Sequence, residues 1–213
     1  GTLTGRITYA GDQTDEILEI TSDTETCAHE HPSRPAGALV TSEDGGLQNA
    51  VVYIAGITSG KAYAEDADPV INNIECAFSP RVSIGHKGGT VTTQNSDNVA
   101  HNTKIALTIM GRSGGPPTLV GNDSIQEGDS VENNIKKAGI AVVQCDLHAW
   151  MKGALFVHDS PYAVVTGEDG SFSIGDVPAG TYTVNVWHEI LGEQTAEITV
   201  TAGGDTTHDA AYE

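Results

Sequence analysis

A cysteine, a histidine and a methionine lie within seven residues of one another in Cys145–Asp146–Leu147–His148–Ala149–Trp150–Met151. The spacing C-x2-H-x2-M places a thiolate, an imidazole and a thioether on one short loop. A soft thiolate and imidazole with a weak axial thioether suit copper cycling between two oxidation states. That set needs a second imidazole, and it should come from another strand, because ligands on one tight loop cannot reach every corner of a site. His101 is the candidate, in Asn95–Ser96–Asp97–Asn98–Val99–Ala100–His101–Asn102. Each residue alone has a plainer use. Cysteine is a small buried hydrophobe, methionine a core filler, and histidine a surface or core residue. Zinc also accepts Cys and His, but a thioether is a poor zinc ligand, so Met151 favours copper.

Such a loop needs strands to hold it. Ile140–Gln144 enters it, Ala154–His158 leaves it, and Thr103–Met110 follows His101; all are rich in Val, Ile, Ala or Thr. Here the sequence resembles the cupredoxin family of type 1, or blue, copper proteins. The family pattern is an early His followed by Asn, then C-x2-4-H-x2-4-M near the end of the unit. His101–Asn102 and Cys145/His148/Met151 match it, and the short loop is most similar to that of amicyanin. The resemblance covers about Cys76 to Val157. It implies a Greek-key β-sandwich and one type 1 copper site, with His101, Cys145 and His148 in the trigonal plane and Met151 axial. It also implies that Asn102 ties the two ligand loops together.

With Cys145 assigned to metal, Cys27 and Cys76 remain and pair naturally, which also explains the odd cysteine count. A disulfide there would point to an oxidising compartment; two free buried cysteines are the alternative. Cys27–Ala28–His29–Glu30–His31 is a possible second metal cluster, but Pro32 and its polar surroundings read as a loop with solvated histidines. His188 shares a face with Tyr182, Val184 and Val186 by period two. It is expected to be a buried histidine with a hydrogen-bond partner, the alternative being a place beside the copper ligands. His86, next to Lys87–Gly88–Gly89, reads as a surface turn residue.

The remainder also reads as strands. Leu3–Tyr9, Ala50–Ile54, Tyr162–Thr166, Ser171–Ile174, Tyr182–His188, Glu197–Thr201 and His208–Tyr212 are short apolar or alternating runs between turn signals. Ser130–Ala138 is the best helix candidate, on the pair Val131 and Ile135. Ser59–Pro69 and Gly111–Gly128 read as long loops. Thr166–Ile174 followed by Val177–Tyr182 looks like a carboxypeptidase regulatory-like domain, a small prealbumin-like β-sandwich. Gly5–Tyr9 with Gly46–Tyr53 resembles the opening of such a module. The expected fold class is therefore all-β, a cupredoxin sandwich plus a regulatory-like sandwich that could be discontinuous. The expected division is residues 1–57 as N-terminal strands belonging with the regulatory-like sandwich, 70–158 as the cupredoxin unit, and 159–213 as the regulatory-like sandwich.

Charge narrows the partners. With 10 basic and 29 acidic residues the net charge is −19, which opposes binding to nucleic acid or anionic lipid. Hydrophobic residues at 38% are too many for a disordered acidic tail, and no run is long enough to span a bilayer. The expected function is outer-sphere electron transfer by one copper, not enzyme catalysis, with a basic redox partner such as a cytochrome c. The expected location is periplasmic or extracellular, with any signal peptide already removed. His148 is expected to be the ligand nearest solvent, ringed by Leu147, Ala149 and Trp150 as a docking patch. Trp150 as a core residue is the alternative there. The competing function is copper storage, delivery or sensing without redox turnover.

Overall fold

Short β-branched runs separated by glycine turns leave little sequence for helix. The computed structural model describes residues 1–28, 31–110 and 115–213, and among these the chain is all-β apart from the four-residue helix Thr24–Cys27. The chain folds as two units, each built from separated stretches of sequence. The first comprises residues 1–15, 37–64 and 160–213, and the second 16–36 and 65–159.

In the first unit, the strand Thr2–Tyr9 pairs antiparallel with Ser171–Ile174 and parallel with Asp205–Thr207 and Ala210–Tyr212. A second sheet runs Ala163–Val165, Val51–Ala55, Gly180–His188, Gly192–Val200, antiparallel throughout. Leu3, Ile7, Phe172 and Ile174 from one sheet and Val52, Ile54, Val184 and Val186 from the other share one apolar core. As expected, His188 is buried with Val184 and Val186, and its Nδ1 accepts the N–H groups of Ile190 (3.3 Å) and Leu191 (3.4 Å).

The second unit also stacks two sheets. One runs Thr118–Ile125, His101–Thr108, Gly139–Gln144, Lys152–His158, Val82–His86, with the last pair parallel. The other runs Ser130–Asn134, Thr90–Asn95, Val70–Ile74, Ala77–Ser79. Residues 16–36 belong to this unit and contribute the small hairpin Ile17–Glu19 with Ser33–Pro35.

Two expectations are corrected. Ser130–Asn134 is a strand, not the start of a helix, and pairs along its whole length with Thr90–Asn95. Asn133 and Asn134 are weak helix formers, and cross-strand pairing decides the outcome over the Val131/Ile135 spacing. Within the stretch read as a loop over 111–128, Thr118–Ile125 is an edge strand. A register shift between Leu119 and Gly121 breaks its alternation, which hides it from a period-two reading. Residues 111–114 lie outside the described residues.

Candidate metal centre

Strand alternation delivers the first imidazole and the thiol. In His101–Thr108 the buried residues are His101, Thr103, Ile105 and Leu107, so His101 continues the core face. In Gly139–Gln144 they are Gly139, Ala141 and Val143, and Cys145 follows on the same face. The loop then turns tightly. Met151 N–H donates to the His148 carbonyl (2.9 Å), and Cys145 N–H to the Met151 carbonyl (3.3 Å). Cys145, His148 and Met151 are all buried.

His101, Cys145 and His148 each offer a ligand atom, all within 4.8 Å of one another. The two Nδ1 atoms are 2.9 Å apart, and Cys145 Sγ is 3.7 Å from His148 Nδ1. Both Nε2 atoms point the other way. His101 Nε2–H donates to Asp97 Oδ2 and His148 Nε2–H to Asp23 Oδ2, each at 2.8 Å. A carboxylate only accepts, so each ring carries a proton on Nε2 and turns its Nδ1 inward, within hydrogen-bond distance of the other. Two imidazole nitrogens this close repel unless a proton or a metal ion lies between them. Burial holds His101 below the ordinary histidine value, against the opposing pull of its bond to Asp97, so the neutral ring is favoured.

Asp97 is itself built in. Its carboxylate accepts Glu75 N–H (2.7 Å) and Cys76 N–H (2.9 Å) as well as the His101 bond. Those two N–H groups converge because Glu75–Cys76 is the two-residue turn joining Val70–Ile74 to Ala77–Ser79, with φ of 53° and 51°. Positive φ at both turn residues is the tight hairpin geometry, ordinarily filled by Asn-Gly. Here non-glycine residues adopt it with their amides bonded to Asp97. Cys76 is disulfide-bonded to Cys27. Its sulfur is therefore not a thiolate ligand, although it lies near Asp97 and His101.

Asn102 joins the segments that carry His101 and Cys145. Its backbone N–H points at Cys145 Sγ (3.3 Å), its Oδ1 accepts Asp146 N–H (3.3 Å), and its Nδ2 donates to Asn122 Oδ1 (2.7 Å). Trp150 is a core residue. Its Nε1–H donates to the Cys76 carbonyl (3.2 Å), and its ring centroid lies 5.0 Å from that of His148.

The expected solvent-facing port is corrected. His148 is 0% exposed because Asp23, from the segment 16–36, covers its Nε2 edge. Leu147 alone of the expected patch is a large exposed apolar residue, at 53%. His29 and Glu30 lie outside the described residues, and His31 is exposed. His86 is half-buried, with Nε2 3.1 Å from Asp68. Sequence reasoning missed Asp97 and Asp23. Asp97, four residues before His101, could have been suspected as its local partner; nothing local marks Asp23, which is 125 residues from His148.

Compared with known families, residues 154–213 match the carboxypeptidase regulatory-like domain. No curated protein matches the chain. Among solved structures, a copper-containing nitrite reductase from Thermus scotoductus SA-01 is 20% identical, with a TM-score of 0.35 over 48% of this chain. The match spans 25% of that reductase chain. A reduced amicyanin mutant is 20% identical over 50% of this chain and 98% of its own, with a TM-score of 0.36. A purple cupredoxin from Nitrosopumilus maritimus is 26% identical over 43% of this chain and 100% of its own, with a TM-score of 0.34.

Proposed function

We propose that the second unit holds one type 1 copper and passes single electrons to and from a redox partner. His101 Nδ1, Cys145 Sγ and His148 Nδ1 would hold the metal, and Met151, buried on the same loop, would supply a weak thioether. The observation that carries the reading is the inward convergence of two imidazole Nδ1 atoms and a buried sulfur, with both outward Nε2–H groups held by carboxylates. The donor set of thiolate, two imidazoles and thioether fits copper better than zinc. Bound copper would supply a one-electron couple.

The chain's own residues keep that couple's surroundings fixed. Asp97 and Asp23 lock the ring orientations, Asn102 ties the loops, and the buried core keeps water from the sulfur. Rigid ligands leave little to reorganise when the charge changes. Three strong ligands and one weak one leave no coordination position for a substrate, which supports a carrier rather than an enzyme. The net charge of −19 favours a basic partner such as a cytochrome c, through salt-sensitive steering. The Cys27–Cys76 disulfide supports a periplasmic or extracellular setting. The competing storage or delivery role fits less well, because all three strong ligands are fully or almost fully buried.

The test is the visible spectrum of the chain with one equivalent of cupric ion, beside Cys145→Ser. An intense thiolate-to-copper charge-transfer band that disappears in the variant is expected. A colourless protein, or a band indifferent to Cys145, would sink the proposal.

A further inference from the structure

Among the described residues of 16–36 none joins either main sheet of the unit, yet the segment is fastened to it at several points. Cys27 is bonded to Cys76, and Ile20 and Cys27 enter the apolar core. Ser22 Oγ donates to the Leu147 carbonyl (3.2 Å), and Arg34 Nη1 to the Glu75 carbonyl (2.8 Å). Two of these points are on the hairpin turn that holds Asp97, and one is on the ligand loop beside His148.

Asp23 sits at the start of the helix Thr24–Cys27. An aspartate there ordinarily accepts an N–H of its own helix. Asp23 makes no such side-chain bond. Its backbone is left-handed, with φ 45° and ψ 40°, a conformation uncommon for residues with a side chain and reached mainly by Asp and Asn. Its carboxylate instead reaches His148 Nε2 at 2.8 Å. The residue that departs from its ordinary capping role is the one that bonds a proposed ligand through its side chain, and such departures gather at functional sites.

We propose that Asp23 is a positioning residue for the metal centre. It holds His148 as the Nε2–H tautomer, so that Nδ1 faces Cys145 and His101, and it closes the imidazole edge to solvent. The disulfide-anchored segment 16–36 serves to present it. Asp23 and Asp97 then act as a matched pair, one carboxylate on each imidazole. The tautomer and the closed edge belong to the chain alone; the effect on copper rests on the reading under Proposed function. An outer-shell carboxylate raises the basicity of the imidazole it holds, and losing one typically weakens metal binding 10- to 100-fold.

The experiment compares the wild-type chain with Asp23→Ala, Asp23→Asn and Ser22→Ala, first metal-free and then with cupric ion. Asn tolerates the left-handed backbone and keeps an acceptor, so Asp23→Asn guards against simple misfolding. Ser22→Ala removes only the neighbouring bond to Leu147. Long-range 1H–15N correlation in the metal-free protein is expected to show His148 with a protonated Nε2 in slow exchange with solvent. Asp23→Ala should give mixed tautomers and fast exchange of the imidazole N–H. Asp23→Asn should keep the wild-type tautomer, and Ser22→Ala should match wild type. In copper titrations, Asp23→Ala should raise the Kd about 10- to 100-fold and shift the reduction potential upward, because a negative charge beside the centre is gone. Asp23→Asn should recover most of the affinity but not the potential. An unchanged tautomer and unchanged N–H exchange in Asp23→Ala would overturn the proposal. Failure of every variant and the wild type to take up copper would overturn the copper reading instead, and the metal-free spectra would still decide the role of Asp23.

Discussion

Both units bury polar side chains, but they aim them differently. In the first unit the hydroxyls staple backbone. Tyr162 Oη accepts Lys61 N–H (2.8 Å) and donates to the Asp176 carbonyl (3.1 Å). Thr166 Oγ1 accepts Ala50 N–H (3.0 Å) and donates to the Leu47 carbonyl (2.7 Å). Tyr212 Oη lies 2.8 Å from the Val186 carbonyl. These groups are satisfied within the fold, and their chemistry ends there. At one end of the second unit, histidine, cysteine and aspartate point at one another, so that two imidazole Nδ1 atoms and a sulfur face inward together. Both groupings of potential metal-ligating side chains found among the described residues lie in this unit. Similar sandwiches thus differ in whether their buried polarity is closed upon backbone or left facing inward.

The contrast can be broken by treating the units separately. The largest effect should come from Cys27→Ala with Cys76→Ala. The bridge spans a sequence separation of 49, and opening such a loop should cost the second unit about 4 kcal/mol in the chain-entropy model. Calorimetry should show that unit's transition falling while the first unit's stays in place; a common shift of both would contradict the division. Next, Leu3→Ala removes a fully buried side chain from the first core, at a cost of about 3 kcal/mol. Copper affinity measured by competition with a chelator should not change, and a parallel loss would show that the site depends on the first unit. The smallest effect should come from Asn102→Ala, which deletes the side-chain bonds to Asp146 and Asn122. About 1 kcal/mol is expected by denaturant unfolding, with a shifted charge-transfer band but copper retained. An unmoved band would mean that the backbone bond from Asn102 to Cys145 suffices to set the loop.

What could be read from sequence was what is local. The C-x2-H-x2-M spacing lies on one turn, and His101–Asn102 stands out as the second imidazole that the loop needs. Ser171–Ile174 coincides with its strand because Gly170 and the turn after Ile174 bound it on both sides. What was hidden depends on partners far along the chain. The Ser130–Asn134 strand exists because Thr90–Asn95 lies beside it. The expectation of a solvent-facing His148 failed for the same reason, since its cover comes from a segment 125 residues earlier whose polar sequence gives no periodic signal. Residues 16–36, grouped by sequence with the N-terminal strands, pack with the unit that holds His101, Cys145 and His148, tied there by the Cys27–Cys76 bond and the Asp23–His148 contact.

The most direct test of the centre is copper K-edge X-ray absorption on the full chain with one equivalent of cupric ion. One sulfur at short distance and two imidazole nitrogens in the first shell are predicted, with the sulfur lost in Cys145→Ser. A first shell of nitrogen and oxygen alone in the wild-type chain would contradict the convergence of His101, Cys145 and His148 on a single metal.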